Sequence, residues 1–166
     1  MIDSLDKVPL LYHFTDRRNL DLIKKHGGLL PLADLMKQDI EIPAPGGNQW
    51  SRDADELKGM DRYVHLCFRN SHPMEYAARA DGRLTNAVFL AIHADVLKFP
   101  GAMFTPDVSN KAGVTAVPIA EAEIDYEVLY TRTDWSNAAI QARLQQAEKY
   151  EVLIPQKIPL SLIRNL

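Results

Sequence analysis

Apolar and polar positions along the chain fall into short blocks whose period changes about every ten residues. Leu10-Leu11-Tyr12-His13-Phe14 is a strand-like apolar and aromatic run. Thr15 or Asp16 can then cap a helix through Lys25, with Leu20, Leu22 and Ile23 on its apolar side and Gly27 as the stop. Leu32–Lys37 reads as a second short helix, and 41–50 as a loop. Tyr63–Phe68 is the next strand, and Pro73 opens a helix that continues over Met74–Ala80, because the first helical turn needs no N–H from it. Ala87–Ile92 has no polar interruption, which predicts a strand buried on both faces. Ala102–Phe104 is a further short strand, followed by a polar loop through Ala112. Asp134 or Ser136 caps a helix running to about Lys149, with Ile140 and Leu144 on one side. Glu151–Ile154 is a strand ended by Pro155, which has no donor for a ladder, and Leu160–Leu166 reads as a last strand.

Strands scattered among short helices, without regular β-α alternation, predict an α+β fold of packed mixed sheets with peripheral helices. No repeat, low-complexity tract or linker interrupts the chain. Its 166 residues suit one domain over 1–166 with a core large enough to fold without a metal or disulfide. The single cysteine, Cys67, excludes an intrachain disulfide and a cysteine-rich zinc cluster, and points to a reducing, cytoplasmic compartment. No apolar run reaches the length of a membrane span, and the N-terminus does not read as a signal peptide. Net charge is −3, with 12 basic against 13 acidic residues over 1–83 and 7 against 9 over 84–166. Without a basic tail, strong non-specific binding to duplex DNA is not expected, although a groove for a few phosphates remains open.

Some residues stand out for their chemistry. Side chains alternate along a strand, so His13 and Thr15 share a face and can hydrogen-bond one ligand at a strand end. Glu151 begins an apolar strand, where a carboxylate is costly unless solvated or paired, and a rigid carboxylate can grip a hydroxyl or take a proton. Around the glycine-rich loop, Trp50 can stack on a ring and Arg52 can fork onto a phosphate. Met74 and Tyr76 can line a pocket or fill the core. His65 and Cys67 share a strand face but have no further metal ligands nearby in the pattern, so no metal is expected. Phosphate-loop, dinucleotide-fingerprint, zincin and nucleophile-elbow motifs are absent.

The order of these segments resembles the DarT family of DNA ADP-ribosyltransferases, the toxin halves of bacterial toxin–antitoxin pairs. The resemblance spans about Leu11 to Ile163. Tyr12-His13-Phe14-Thr15, Asn19-Leu20, Ile23 and Gly28-Leu29-Leu30 are similar to the family's "YH-T…NL…I…G-L" opening. Tyr63–Phe68 and His72-Pro73-Met74-Glu75-Tyr76-Ala77 are similar to "YVPFYF…SPMLYA". Ala87–Leu90, Phe104-Thr105 and Thr133-Asp134-Trp135 fall where related segments are expected. Ala147–Ile154 is similar to the "QAEFLV" strand, with Glu151 on the catalytic glutamate.

The resemblance implies an ADP-ribosyltransferase-like split mixed β-sheet core and NAD as co-substrate. It puts His13 and Thr15 on the ribose region of NAD, with Asn19, Leu30 and Tyr63 in the same pocket. It makes Arg52 a catalytic residue that contacts the NAD phosphate and helps to place the acceptor. Met74 would pack against the target base, with Trp50 a further substrate contact. Single-stranded DNA is the implied partner, together with a cognate antitoxin of the macrodomain hydrolase type. Two segments depart from the pattern. "VPFYF" reads Val64-His65-Leu66-Cys67-Phe68, and the loop Pro106–Asn110 supplies no assignable acceptor contact. Neither the modified base nor its sequence context can be read here. The other readings are transfer to RNA, protein or a small molecule, and a non-catalytic nucleic-acid-binding module.

Overall fold

The computed structural model describes residues 5–45 and 49–166, the side chains of 49–51 excepted. Its frame is two antiparallel sheets that touch at one point. Strand β1 (Leu10–Asp16) pairs with β4 (Ala87–His93) along its whole length, from Leu10↔His93 to Asp16↔Ala87. The second sheet runs β3 (Val64–Leu66), β7 (Glu151–Ile154), β5 (Met103–Thr105) and β6 (Val117–Pro118) in that spatial order. Tyr12 and Cys67 join the sheets by exchanging two backbone hydrogen bonds of 2.8 Å.

A third pair, β2 (Gly28–Leu29) with β8 (Ile158–Pro159), closes one side. Here glycine is required. Gly28 has φ +152°, and a Cβ on it would lie 2.0 Å from the Ile158 carbonyl oxygen.

The core lies between these sheets. β7 is buried at every position, and Val152 and Ile154 pack in one cluster with Leu11, Leu90, Ile92 and Phe104. Phe68, Phe104 and Tyr150 meet edge to face, with centroids 5.1–6.2 Å apart.

Helices lie around the sheets. Asp16 caps a 3₁₀ turn (Arg17–Asn19) that leads into α1 (Leu20–Lys25), and Gly27 at φ +76° ends it. α2 is Leu32–Lys37, as the sequence predicts. α3 (Gln49–Lys58) was not foreseen; its sequence offers no continuous apolar stripe. α4 (Pro73–Ala80) starts at its proline, with the His72 ring accepting the Met74 N–H at 3.2 Å. α5 (Tyr126–Tyr130) and α6 (Ala138–Ala147) are tied together by Arg143, which donates to Asp125 at 2.7 and 2.8 Å.

The α+β architecture stands, and some details differ from the sequence expectation. Every strand pairing among the described residues is antiparallel rather than mixed, since parallel pairing needs long crossovers between neighbouring strands. β4 buries Leu90 and Ile92 but leaves Ala87, Val88, Phe89 and Ala91 half-buried, because its pairing partner is β1 alone. Asn137, not Asp134 or Ser136, caps α6, since Asp134 is engaged with the Ser136 N–H and hydroxyl. The last segment is a 3₁₀ turn (Leu160–Leu162) and a single bridge from Ile163 to Ile92. There the Asn165 amide bonds Ala91 N–H (2.7 Å) and Phe89 C=O (3.0 Å), taking the place of a strand's backbone.

Candidate active site

Beyond the Tyr12–Cys67 bridge, β1 and β3 part. The gap between them is a cleft of about 260 Å³, walled by β1, α1, α3, the start of α4, the 108–110 loop and the first residue of β7. The geometry of its floor comes from the end of β1. Asp16, with no exposed surface, accepts the N–H groups of Arg18, Thr85 and Asn86 at 2.9–3.1 Å and pairs with the Arg18 guanidinium at 2.9 Å. That web of hydrogen bonds, led by the Arg18 side chain, holds its carboxyl below the ordinary carboxylate range.

Buried Asn19 uses its amide to hold the same wall. Its Nδ2 donates to Thr15 Oγ1 (3.0 Å) and the Ala44 carbonyl (2.7 Å), and its Oδ1 accepts the Ala44 N–H (2.9 Å). Thr15 Oγ1 accepts from Asn19, which leaves the hydroxyl proton to donate elsewhere. The His13 Nδ1–H donates to the His65 carbonyl at 2.9 Å, and burial holds the ring neutral by lowering its pKa, so Nε2 keeps its lone pair.

Opposite stands Glu151, 6% exposed at the start of β7. Its Oε1 is 2.9 Å from His65 Nδ1, and its Oε2 accepts the Ser109 N–H at 2.6 Å. The Ser109 hydroxyl lies 3.4 Å from Oε1. Burial alone would raise the Glu151 pKa, but the hydrogen bond and charge of His65, the nearby His72 and the Ser109 N–H outweigh it, so the carboxyl sits below its ordinary range. Asp55 behaves differently: burial pushes it up.

His72 adds a donor. Its Nδ1 accepts the Met74 N–H, so a neutral ring carries its proton on Nε2, and burial lowers its pKa. Nε2 is buried without a protein partner among the described residues, and the ring lines the cleft. A buried N–H of this kind is reserved for an acceptor that arrives with a ligand.

The residues singled out in the sequence converge. His13, Thr15, Asn19, Leu30, Arg52, Tyr63, Met74 and Glu151 all line this cleft. The Trp50 side chain lies outside the described residues. Tyr76 is 68% exposed and takes no part; the Arg79 guanidinium stands over its ring at 5.9 Å. Cys67 is buried, with its thiol donating to the Arg69 carbonyl at 3.1 Å, and burial pushes its pKa up. Sequence reasoning missed His65 and Ser109, which hold Glu151, and His72. Among the described residues, no group of three or more histidine, cysteine or acidic side chains could hold a metal ion, and no helix is long and apolar enough to cross a membrane.

Lys58, on the last turn of α3, supports the arrangement. Its ammonium donates to the carbonyls of Ser109, Lys111 and Val114 at 2.8, 2.8 and 3.0 Å, using all three protons to fasten the loop that presents Ser109 to Glu151. Lys58→Met is expected to lower the transfer rate by roughly 5- to 20-fold through this misplacement, with about 1 kcal/mol lost in stability. Urea unfolding beside single-turnover kinetics checks both; an unchanged rate would show that the loop holds Ser109 without it.

A family model described as "ssDNA thymidine ADP-ribosyltransferase, DarT" matches residues 12–166. The chain belongs to the DarT family. No curated protein sequence matches it. Among solved structures, that of Thermus sp. 2.9 DarT in complex with ADP-ribosylated ssDNA is similar with a TM-score of 0.67 and 18% identity, covering 95% of this chain and 79% of that one. The same protein in complex with NAD⁺ gives a TM-score of 0.60 and 19% identity over 95% and 80%. Thermosipho africanus DarTG in complex with ADP-ribose gives 0.69 and 16%, covering 93% of this chain and 42% of that one. The split pair of sheets is therefore the DarT fold, and the thymidine named for the family is the base that the sequence alone left open.

Proposed function

We propose that residues 1–166 act as one unit that transfers ADP-ribose from NAD to thymidine in single-stranded DNA, with Glu151 as the catalytic carboxylate. The observation that carries the role of Glu151 is its setting: an ionised side chain on a rigid strand, gripped on both oxygens and facing the cleft.

The donor set suits such a substrate. The Thr15 hydroxyl proton and His13 Nε2 offer one donor and one acceptor for ribose hydroxyls, and the His72 Nε2–H awaits a carbonyl oxygen. Arg52, half-buried on α3, provides the fork for the pyrophosphate, while Leu30 and Tyr63 supply apolar wall. Asn19 serves by holding Thr15 and the backbone at Ala44 in place.

In the reaction, the bond from the ribose anomeric carbon to nicotinamide breaks, and nicotinamide leaves with the electron pair. Glu151 stabilises the positive charge that develops on the ribose. Thymine within DNA has a single N–H, at N3; its nitrogen forms the new bond while Glu151 accepts the proton. Met74, beside the cleft, gives the base an apolar surface, and Arg52 keeps electrophile and acceptor in line. An unstacked strand offers that edge freely, whereas a duplex conceals it in base pairing. A chain of net charge −3 can bind such a strand through a few phosphate contacts and a held base.

A cytoplasmic location fits the buried, unpaired Cys67. A cognate macrodomain-type antitoxin that reverses the modification fits membership of the family. NAD labelled on the adenosine moiety, offered with single-stranded DNA, duplex DNA, RNA and protein, tests the acceptor. Label confined to single-stranded DNA is expected; label in RNA or protein instead would replace this reading, and no NAD consumption would leave a binding module.

A further inference from the structure

We propose that His65 is a positioning residue for the transfer reaction: a standing cation that keeps Glu151 ionised and aimed into the cleft. This rests on Glu151 being the catalytic carboxylate. The geometry of the ring carries it. Nδ1 faces Glu151 Oε1 at 2.9 Å, and Nε2 faces the Met60 carbonyl oxygen at 2.8 Å. A carbonyl and an ionised carboxylate only accept, so both ring nitrogens must donate, and only the imidazolium does so.

The one other way to satisfy both contacts places the proton on Glu151 and leaves His65 neutral. The surroundings oppose it. Glu151 Oε2 already accepts the 2.6 Å bond from the Ser109 N–H, which favours the carboxylate. Asp55, on α3, lies near enough to add its field to that of Glu151 in favour of the cation. From the remaining elements, His13 on β1 and His72 at the start of α4 face the ring, and burial lowers the pKa of each, so they add no competing charge at neutral pH. The Ser109 hydroxyl, 3.2 Å from Nδ1, completes the surround. Burial opposes the cation, yet the hydrogen bond and charge of Glu151, followed by Asp55, lift the His65 pKa to about 9. A quarter of the side chain opens to the cleft, so the pair lies at the wall of the reaction space.

Without the cation, Glu151 would retain the Ser109 N–H alone against the cost of burying its charge, and its protonated, inactive form would persist toward neutral pH. His65→Gln keeps a neutral donor of similar size and isolates the charge. The acidic limb of the pH–kcat profile is expected to move up by about one unit or more, with kcat at pH 6.5 at least 10-fold below wild type and largely regained by pH 8.5. KM for NAD should change much less. The wild type should lose activity as pH rises through about 9, a limb that His65→Gln lacks. A variant profile parallel to wild type at every pH would overturn the proposal, since a merely structural loss does not move with pH.

A readout independent of activity completes the test. In ¹⁵N-labelled wild type at pH 7.5, the His65 ring, assigned by its absence from the His65→Gln spectrum, should show both nitrogens protonated, and Glu151→Gln should return it to the neutral form. A neutral ring in the wild type overturns the inference even if the enzyme is active. Absence of transfer to any acceptor overturns the function while leaving the NMR result to decide the charge of His65.

Discussion

Glu151→Gln abolishes ADP-ribose transfer, lowering the rate by on the order of 10³-fold or more, while NAD affinity stays within a few-fold. The substitution keeps the shape of the side chain and an oxygen for the Ser109 N–H. It removes the negative charge that the developing cation on the ribose needs, and the base that takes the acceptor's proton. Binding survives because Thr15, His13 and Arg52 belong to other elements. Calorimetric titration with NAD beside a transfer assay separates the two effects. Loss of binding with loss of transfer would mean that the variant has lost the cleft rather than the chemistry. A variant with near-wild-type transfer would remove Glu151 from the reaction.

Asp16→Ala costs about 3 kcal/mol of folding stability, or about 10 °C in Tm for a chain of this length. Three backbone N–H groups, of Arg18, Thr85 and Asn86, lose their shared acceptor at once. The ion pair itself adds little, because the Arg18 side chain is half in water. The same change loosens the turn that sets Thr15 and Asn19, so NAD affinity falls as well. The pH dependence has a definite sign. The folded-state pKa of Asp16 lies below its unfolded value near 3.8, so its contribution is present above that pH and is lost as pH falls further. Wild type should therefore destabilise more steeply than Asp16→Ala below about pH 4. Parallel stability curves for the two proteins through that range would contradict the assignment of Asp16 as the anchor.

Local pattern made much of the frame legible. β1, α2, the proline start of α4 and the Glu151–Ile154 strand follow from apolar runs, caps and proline positions, which act over a few residues. α3 escaped because Gln49–Lys58 is polar on most sides and has no apolar stripe to signal a helix. The end of the chain misled because Asn165 makes with its side chain the bonds that a strand would make with its backbone.

The site was legible through the order of its segments, more than through any one of them. His13, Thr15, Arg52, Met74 and Glu151 come from different elements, and only the fold shows that they share a cleft. His65 and Ser109 were hidden for a physical reason. They reach Glu151 across 86 and 42 residues of chain, and nothing near them in sequence announces a carboxylate partner. His65 read as half of a poor metal pair, and Ser109 as part of a loop without an assignment. What could have pointed to them is a question of balance: a glutamate opening a wholly apolar strand requires a cation and a donor somewhere in the chain.

One measurement tests the central claim most directly: mass spectrometry of a single-stranded oligonucleotide containing one thymidine, incubated with NAD and this protein. A matched strand with that thymidine replaced, and the Glu151→Gln variant, serve as controls. The account predicts a gain of one ADP-ribose on the thymidine strand, located to that nucleotide by fragmentation and absent from both controls. Equal modification of the thymidine-free strand, or equal activity of Glu151→Gln, would contradict it.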